Sequence, residues 1–182
     1  SYIGLPEAGV GLLPAGGGTK EMAMRVSNSF NTGDVKMPTL IDHFKSIAMG
    51  LVSTSAHEAF DLNYLQNTRD FICMNRMRNI GMAKQKVLDL SVGYVPPSLR
   101  QDIEVLGRSG LSTLYSAINE FSLGGYMSDY DVEVSRKIAY VMCGGDLTSS
   151  QLVSEEYLFD LERENFMSLL GNKKTLDRIQ YM

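Results

Sequence analysis

Glu7 stands alone as a carboxylate in the apolar, glycine-bracketed run Leu5-Pro6-Glu7-Ala8-Gly9-Val10-Gly11-Leu12-Leu13-Pro14-Ala15-Gly16-Gly17-Gly18-Thr19. With Pro6 and Ala8 on either side and Val10, Leu12 and Leu13 following, its carboxyl should be partly desolvated, which suits it to move a proton near neutral pH. Gly16, Gly17 and Gly18 permit positive φ and close backbone approach; Thr19 is placed to cap the helix that follows, and Glu21 falls in its first turn. The expectation is a turn that presents one proton-handling group beside free backbone N–H groups aimed at a ligand. Two nucleotide-binding loops fail on inspection. A dinucleotide fingerprint needs a third glycine where Pro14 stands, and a P-loop needs lysine before threonine, whereas the chain reads Gly18-Thr19-Lys20.

Other reactive side chains lack companions. His43 and His57 fall on helical stretches without a cysteine or aspartate at ligand or triad spacing, and read as packing or surface residues. Cys143, next to Gly144-Gly145, has no neighbouring base and reads as a buried structural thiol. Cys73 and Cys143 are far apart and without metal-like spacing, so no metal site is expected and a reducing cytoplasm fits. The eleven methionines read chiefly as core filler, and Glu155, Glu156, Glu162 and Glu164 as a charged outer surface.

The elements that must position Glu7 are mostly helical. Met22, Val26 and Phe30 recur at intervals of four before the turn Asn31-Thr32-Gly33-Asp34. Leu40, Ile41, Phe44, Ile47, Ala48 and Leu51 form a second apolar stripe, and Ser53, Thr54 or Ser55 caps a helix through about Leu65. Asp70-Phe71-Ile72-Cys73-Met74 is the best strand candidate and could pair with the opening segment. Asn75 caps a long helix with Ile80, Ala83, Val87 and Leu90, ended by Gly93 and Pro96-Pro97. Further helices carry Leu111, Leu114, Ile118 and Phe121; Val132, Ile138, Val141 and Met142 after a Ser128 or Asp129 cap; and Leu158, Leu161, Phe166 and Leu169 after Ser154. A short terminal helix starts near Lys174.

Taken in order, Tyr2-Ile3-Gly4-Leu5-Pro6-Glu7 and Leu13-Pro14-Ala15-Gly16-Gly17-Gly18-Thr19 resemble the crotonase (enoyl-CoA hydratase/isomerase) superfamily, whose members carry Pro-Glu, a short apolar stretch, then Pro-Gly-x-Gly-Gly-Thr. Ser55-Ala56-His57-Glu58-Ala59 looks like that family's later Ala-x-Glu-Ala helix, and Leu158 to Glu164 with Arg178-Ile179 like its C-terminal segment. A narrower resemblance is to the hydratase-like portion that follows the dehydrogenase part in bacterial 3-hydroxyacyl-CoA dehydrogenases. The words that carry it are Gly16 to Ala23, Val105-Leu106-Gly107-Arg108-Ser109-Gly110-Leu111 and Arg136 to Asp146.

The resemblance implies that Glu7 is the second of two hydratase glutamates, working with a partner from an earlier helix to hold and activate the water added across a double bond. It implies that the backbone N–H of Ala15, where many hydratases have glycine, orients that water. It also places the first glutamate and the oxyanion-hole donors upstream of this chain. Lys173, Lys174 and Arg178 fall where the family often meets the CoA nucleotide, although a solvated helix face is the simpler reading. The substrate implied is a CoA thioester. No cofactor is expected within the chain, while NAD is implied for an intact protein that includes an upstream dehydrogenase part.

Composition agrees with a globular domain: 44% hydrophobic and 21% charged residues over 182 positions support one sizeable core. A formal charge of −4 offers no basic face for nucleic acid, and no apolar run approaches the roughly eighteen residues of a membrane span. The expected fold is mainly α, the C-terminal helical half of a crotonase-like (ClpP/crotonase) fold with one or two short strands. Residues 1–38 end the core with the catalytic turn and its helix, 39–97 form a helical segment with one strand, and 98–182 a C-terminal helical region. The expected function is that of a C-terminal piece of a fatty-acid β-oxidation enzyme, inactive by itself because Glu7 alone cannot supply acid, base and oxyanion stabilisation. The alternative is a helical assembly or docking module with Glu7 idle. The upstream half of the same polypeptide, an acyl-CoA and further copies of the chain are the expected partners.

Overall fold

Apolar periods of three and four residues become eight α-helices in the computed structural model, which describes residues 2–181. They are α1 (Gly18–Asn28), α2 (Lys36–Ala48), α3 (Ala56–Asp61), α4 (Asn79–Ser91), α5 (Gly107–Leu123), α6 (Asp129–Met142), α7 (Glu155–Leu170) and α8 (Lys173–Tyr181). Serine caps punctuate three of them as read. Ser55 accepts from the Glu58 N–H, Ser154 from the Tyr157 N–H, and Ser128 forms a reciprocal capping box with Asp131.

The strands differ from the expected one or two. β1 (Ile3–Gly4) pairs antiparallel with β2 (Val52–Ser53), Ile3 opposite Ser53, and β3 (Ile103–Val105) pairs antiparallel with β4 (Gln151–Val153), Ile103 opposite Val153. Residues 70–74 are not a strand. Asp70 instead closes a turn, its carboxylate accepting the Gln66 N–H at 2.8 Å while its own N–H donates to the Gln66 carbonyl at 2.8 Å. That short-range polar pairing competes with extended backbone. The opening segment therefore takes its partner from Val52–Ser53. Helix α3 also stops at Asp61 rather than near Leu65: Asn63 is left-handed, φ 64°, and the Arg25 guanidinium draws the carbonyls of Asn63 and Tyr64 to 2.8 and 2.9 Å.

Helix α6 runs through the middle of the core, with α1, α2, α5 and α7 packed around it. Met22, Leu40, Ile47, Leu114, Ile138 and Met142 are among its fully enclosed side chains. A smaller cluster of Ala23, Ile103, Val105, Val141 and Leu158 joins α1, β3, α6 and α7. Methionine serves this core less than its numbers suggested: Met22 and Met142 are buried, whereas Met74 and Met77 stand in solvent. From residue 74 to 99 every position is exposed, and α4 buries no side chain.

Candidate functional site

Pro6 opens a 3-10 turn over Pro6–Val10, where its fixed φ and missing N–H are tolerated, and so sets Glu7 at the second position. Gly11 ends the turn at φ 81°, its N–H donating to the Ala8 carbonyl at 3.0 Å. Only glycine fits there, because a Cβ would lie 2.6 Å from the Tyr130 ring. Helix α8 braces the same turn. Buried Thr175 donates to the Gly11 carbonyl at 2.9 Å and meets the Tyr130 hydroxyl at 2.5 Å.

The chain then turns at Pro14, whose carbonyl accepts both the N–H and the hydroxyl of Thr19 at 2.9 Å. Thr19 is thus inside α1 and ties it back to the loop, and the cap position belongs to Gly17, left-handed at φ 91°. This corrects the expected threonine cap. It also corrects the expectation of free N–H groups at this helix start. The carboxylate of Glu162, from α7, accepts the Gly17 N–H on one oxygen and the Lys20 N–H on the other, each at 2.8 Å.

Glu162 is fully buried, not part of a charged outer face. Burial pushes its carboxyl above the ordinary glutamate value, opposed by the N–H donors of Lys20 and Gly17. Lys20 is anchored a second time: its ammonium donates to Glu155 at 2.6 Å and sits 4.8 Å from the centre of the Phe159 ring. The sequence did hold one signal for Glu162, since it lies on the helical stripe of Leu158, Leu161, Phe166 and Leu169, where a solvated glutamate does not belong.

Glu7 and Glu162 line one cavity of about 510 Å³, together with Leu13, Ala15, Gly16 and Phe166. One oxygen of Glu7, Oε2, is buried and has no hydrogen-bond partner among the described residues. A buried carboxylate oxygen in that state is a strong acceptor that favours any O–H placed before it. Ala15, the expected water-orienting backbone position, lines the same wall. A second cavity of about 420 Å³, which includes Leu5, Gly17, Gly18, Met22 and Tyr64, lies on the other side of the loop and shares Gly16 and Phe159 with the first.

The expected CoA contacts lie on α8. Arg178 donates to the Asp131 carboxylate at 2.7 Å and to Ser128 at 3.2 Å, and its guanidinium lies 5.2 Å from the centre of the Tyr130 ring, with the Lys174 ammonium 5.3 Å from the same ring. Lys173 is exposed. His43 is buried with Nδ1 2.9 Å from the Thr39 carbonyl, and burial holds its ring below the ordinary histidine value. His57 is exposed. The Cys143 thiol is buried and pushed up to about 12 by desolvation, as an inert structural cysteine should be. Among the described residues no group of three or more His, Cys, Asp or Glu is placed to hold a metal ion, and no helix is long and apolar enough to cross a membrane.

Comparison with known proteins adds one relative. The whole chain aligns at 39% identity over 183 positions with a probable 3-hydroxyacyl-CoA dehydrogenase of Bacillus subtilis (strain 168), and the aligned region is 23% of that protein's length. The chain therefore corresponds to about a quarter of the relative. No protein-family profile matches the sequence. No solved structure matches it.

Proposed function

We propose that this chain is the part of a larger 3-hydroxyacyl-CoA dehydrogenase polypeptide that carries one half of an enoyl-CoA hydration site, with Glu7 as its catalytic residue. The single observation behind this reading is that Glu7, whose Oε2 is buried without a hydrogen-bond partner among the described residues, is in the lining of a cavity with Leu13, Ala15 and Phe166. The relative's name supports the dehydrogenase context, and the Pro6-Glu7 to Thr19 run supports the hydration chemistry. Hydration joins the oxygen of water to the β-carbon of a 2-enoyl thioester and a proton to the α-carbon. Glu7 accepts a hydrogen bond from the water at its carboxylate and moves one proton of that exchange, and the backbone at Ala15 helps to orient the water. The second carboxylate and the oxyanion donors come from elsewhere in the polypeptide, because the two oxygens of Glu162 are already engaged.

NAD belongs to the dehydrogenase part of that polypeptide, and no residue here is assigned to it. Gly9-Val10-Gly11-Leu12-Leu13-Pro14 places proline where a dinucleotide loop requires glycine.

A second reading makes the helical region an assembly element for the dehydrogenase, with Glu7 idle. Its support is α4, whose Ile80, Val87 and Leu90 stand exposed on a helix with nothing buried. One experiment separates the two. In the full-length polypeptide, Glu7→Gln should lower the hydration kcat by roughly 10² to 10⁴-fold and leave oxidation of the 3-hydroxyacyl-CoA unchanged. Hydration that survives the substitution would sink the catalytic reading in favour of assembly.

A further inference from the structure

Helix α1 begins without a side-chain cap of its own. Gly17 occupies the position where serine, threonine or aspartate ordinarily satisfies the first amides, and at φ 91° it excludes those residues without strain. The acceptor comes instead from 145 residues away, as Glu162 brings a carboxylate into a fully buried place. Taking that charge out of water is costly. It is offset here by two charge-assisted hydrogen bonds of 2.8 Å and by the positive end of the helix. The left-handed Gly17 closes α1 to a local side-chain cap. What the buried one adds is a fixed distance between α7 and the Gly16–Gly17 loop.

Both ends of that tie border the Glu7 cavity, since Gly16 and Glu162 are in its lining. Ala15 and Gly16 form one wall, Phe159, Glu162, Arg163 and Phe166 of α7 another, and Glu7 and Leu13 complete the lining. The Glu155–Lys20 pair at 2.6 Å adds a second tie between the same two helices. Glu162 touches the wall, and none of its two oxygens is left for substrate. The structure assigns Glu162 the part of a positioning residue, which holds the Ala15–Gly17 wall against α7 so that Glu7 and the backbone opposite it meet the reacting water at working distance. The assignment rests on the hydration reading of Glu7. Misplacement of a reacting group by about an ångström costs on the order of a hundredfold in rate, so a modest loosening of this wall should register in turnover before it registers in stability.

The test uses the full-length polypeptide with three variants, Glu7→Gln, Glu162→Gln and Glu162→Ala, assayed for hydration of a 2-enoyl-CoA, for oxidation of the 3-hydroxyacyl-CoA, and for thermal unfolding. Glu162→Gln keeps the volume and one acceptor oxygen but turns an amide NH₂ toward the second N–H. The expected result is a hydration kcat lowered about tenfold to a hundredfold at unchanged KM, with oxidation retained and the melting temperature lowered by a few degrees as one buried N–H loses its acceptor. Glu162→Ala should lower kcat further. The assignment is overturned if Glu162→Gln hydrates like the wild type. It is also overturned if hydration and oxidation fall to the same extent, in step with the melting temperature, which is the mark of a purely structural cap. Failure of the underlying reading looks different: hydration is absent from the unsubstituted protein or survives Glu7→Gln, and the positioning role then falls with it.

Discussion

Helices α4 and α6 are alike in the sequence and opposite in the structure. One has 13 residues and the other 14, both follow a polar cap region, and both carry branched apolar side chains at helical spacing. Helix α6 buries seven residues against four neighbouring helices, while α4 buries none and touches little beyond the 3-10 turn Arg76–Arg78 that leads into it. Amphipathic spacing states which face should be covered, and says nothing about whether a cover is at hand. In α6 the cover is supplied by α1, α2, α5 and α7. In α4, Ile80, Val87 and Leu90 remain in water, and the short-range hydrogen bonds Gln85 to Asp89 and Ser91 to Leu88 act at its surface.

The sharpest way to break this contrast is to truncate one side chain in each helix of the isolated chain and follow chemical denaturation. Ile138→Ala in α6 removes a side chain with no exposed surface and should cost about 2–5 kcal/mol. Leu90→Ala in α4, 61% exposed, should stay within about 0.5 kcal/mol. Equal costs would mean that α4 is covered in solution.

A smaller effect should come from the turn that bears Glu7. Gly11→Ala places a methyl 2.6 Å from the Tyr130 ring at a φ that disfavours it, so a loss of about 1–3 kcal/mol is expected from the same denaturation assay. The same change at Gly93, also at positive φ but with open space around it, carries the backbone strain without the clash and should cost less than the change at Gly11. A comparable loss at both glycines would remove the distinction between braced and unbraced turns.

The smallest effect is a pH dependence confined to the packed region. Burial disfavours the charged form of His43, so its folded value lies below the 6.5 of the free side chain, while the unfolded chain takes up the proton near 6.5. Stability is therefore full above about pH 6.5 and declines as pH falls through 6.5 toward the lowered folded value. Melting curves between pH 5 and 8 should show this decline and should flatten in His43→Gln.

Much of the fold was legible because its signals are local. Caps at Ser55, Ser128 and Ser154, breaks at Gly93, Gly124-Gly125, Gly144-Gly145 and Gly171, and the apolar stripes of α1, α2, α5, α6 and α7 are each written within one or two turns of helix. The candidate site was half legible. Pro6, Glu7 and Gly11 build their turn from adjacent residues, but the partner that closes the loop, Glu162, is 145 positions from Gly17 and looked like one more surface glutamate. Residues 70–74 failed for the converse reason. Strand propensity needs a neighbouring strand to satisfy its backbone, and the turn at Asp70 satisfied it locally first.

By itself, then, the order of residues determined where helices start and stop, which face of each is apolar, and that Glu7 sits on a short rigid turn, since all of these depend on backbone geometry and near neighbours. Only tertiary structure decided that α6 is enclosed while α4 is bare, that β1 pairs with β2, and that the carboxylate of Glu162 is buried at the start of α1. Burial and long-range pairing depend on what arrives from distant parts of the chain, and their large desolvation and packing energies cancel too closely for a local pattern to carry the sign.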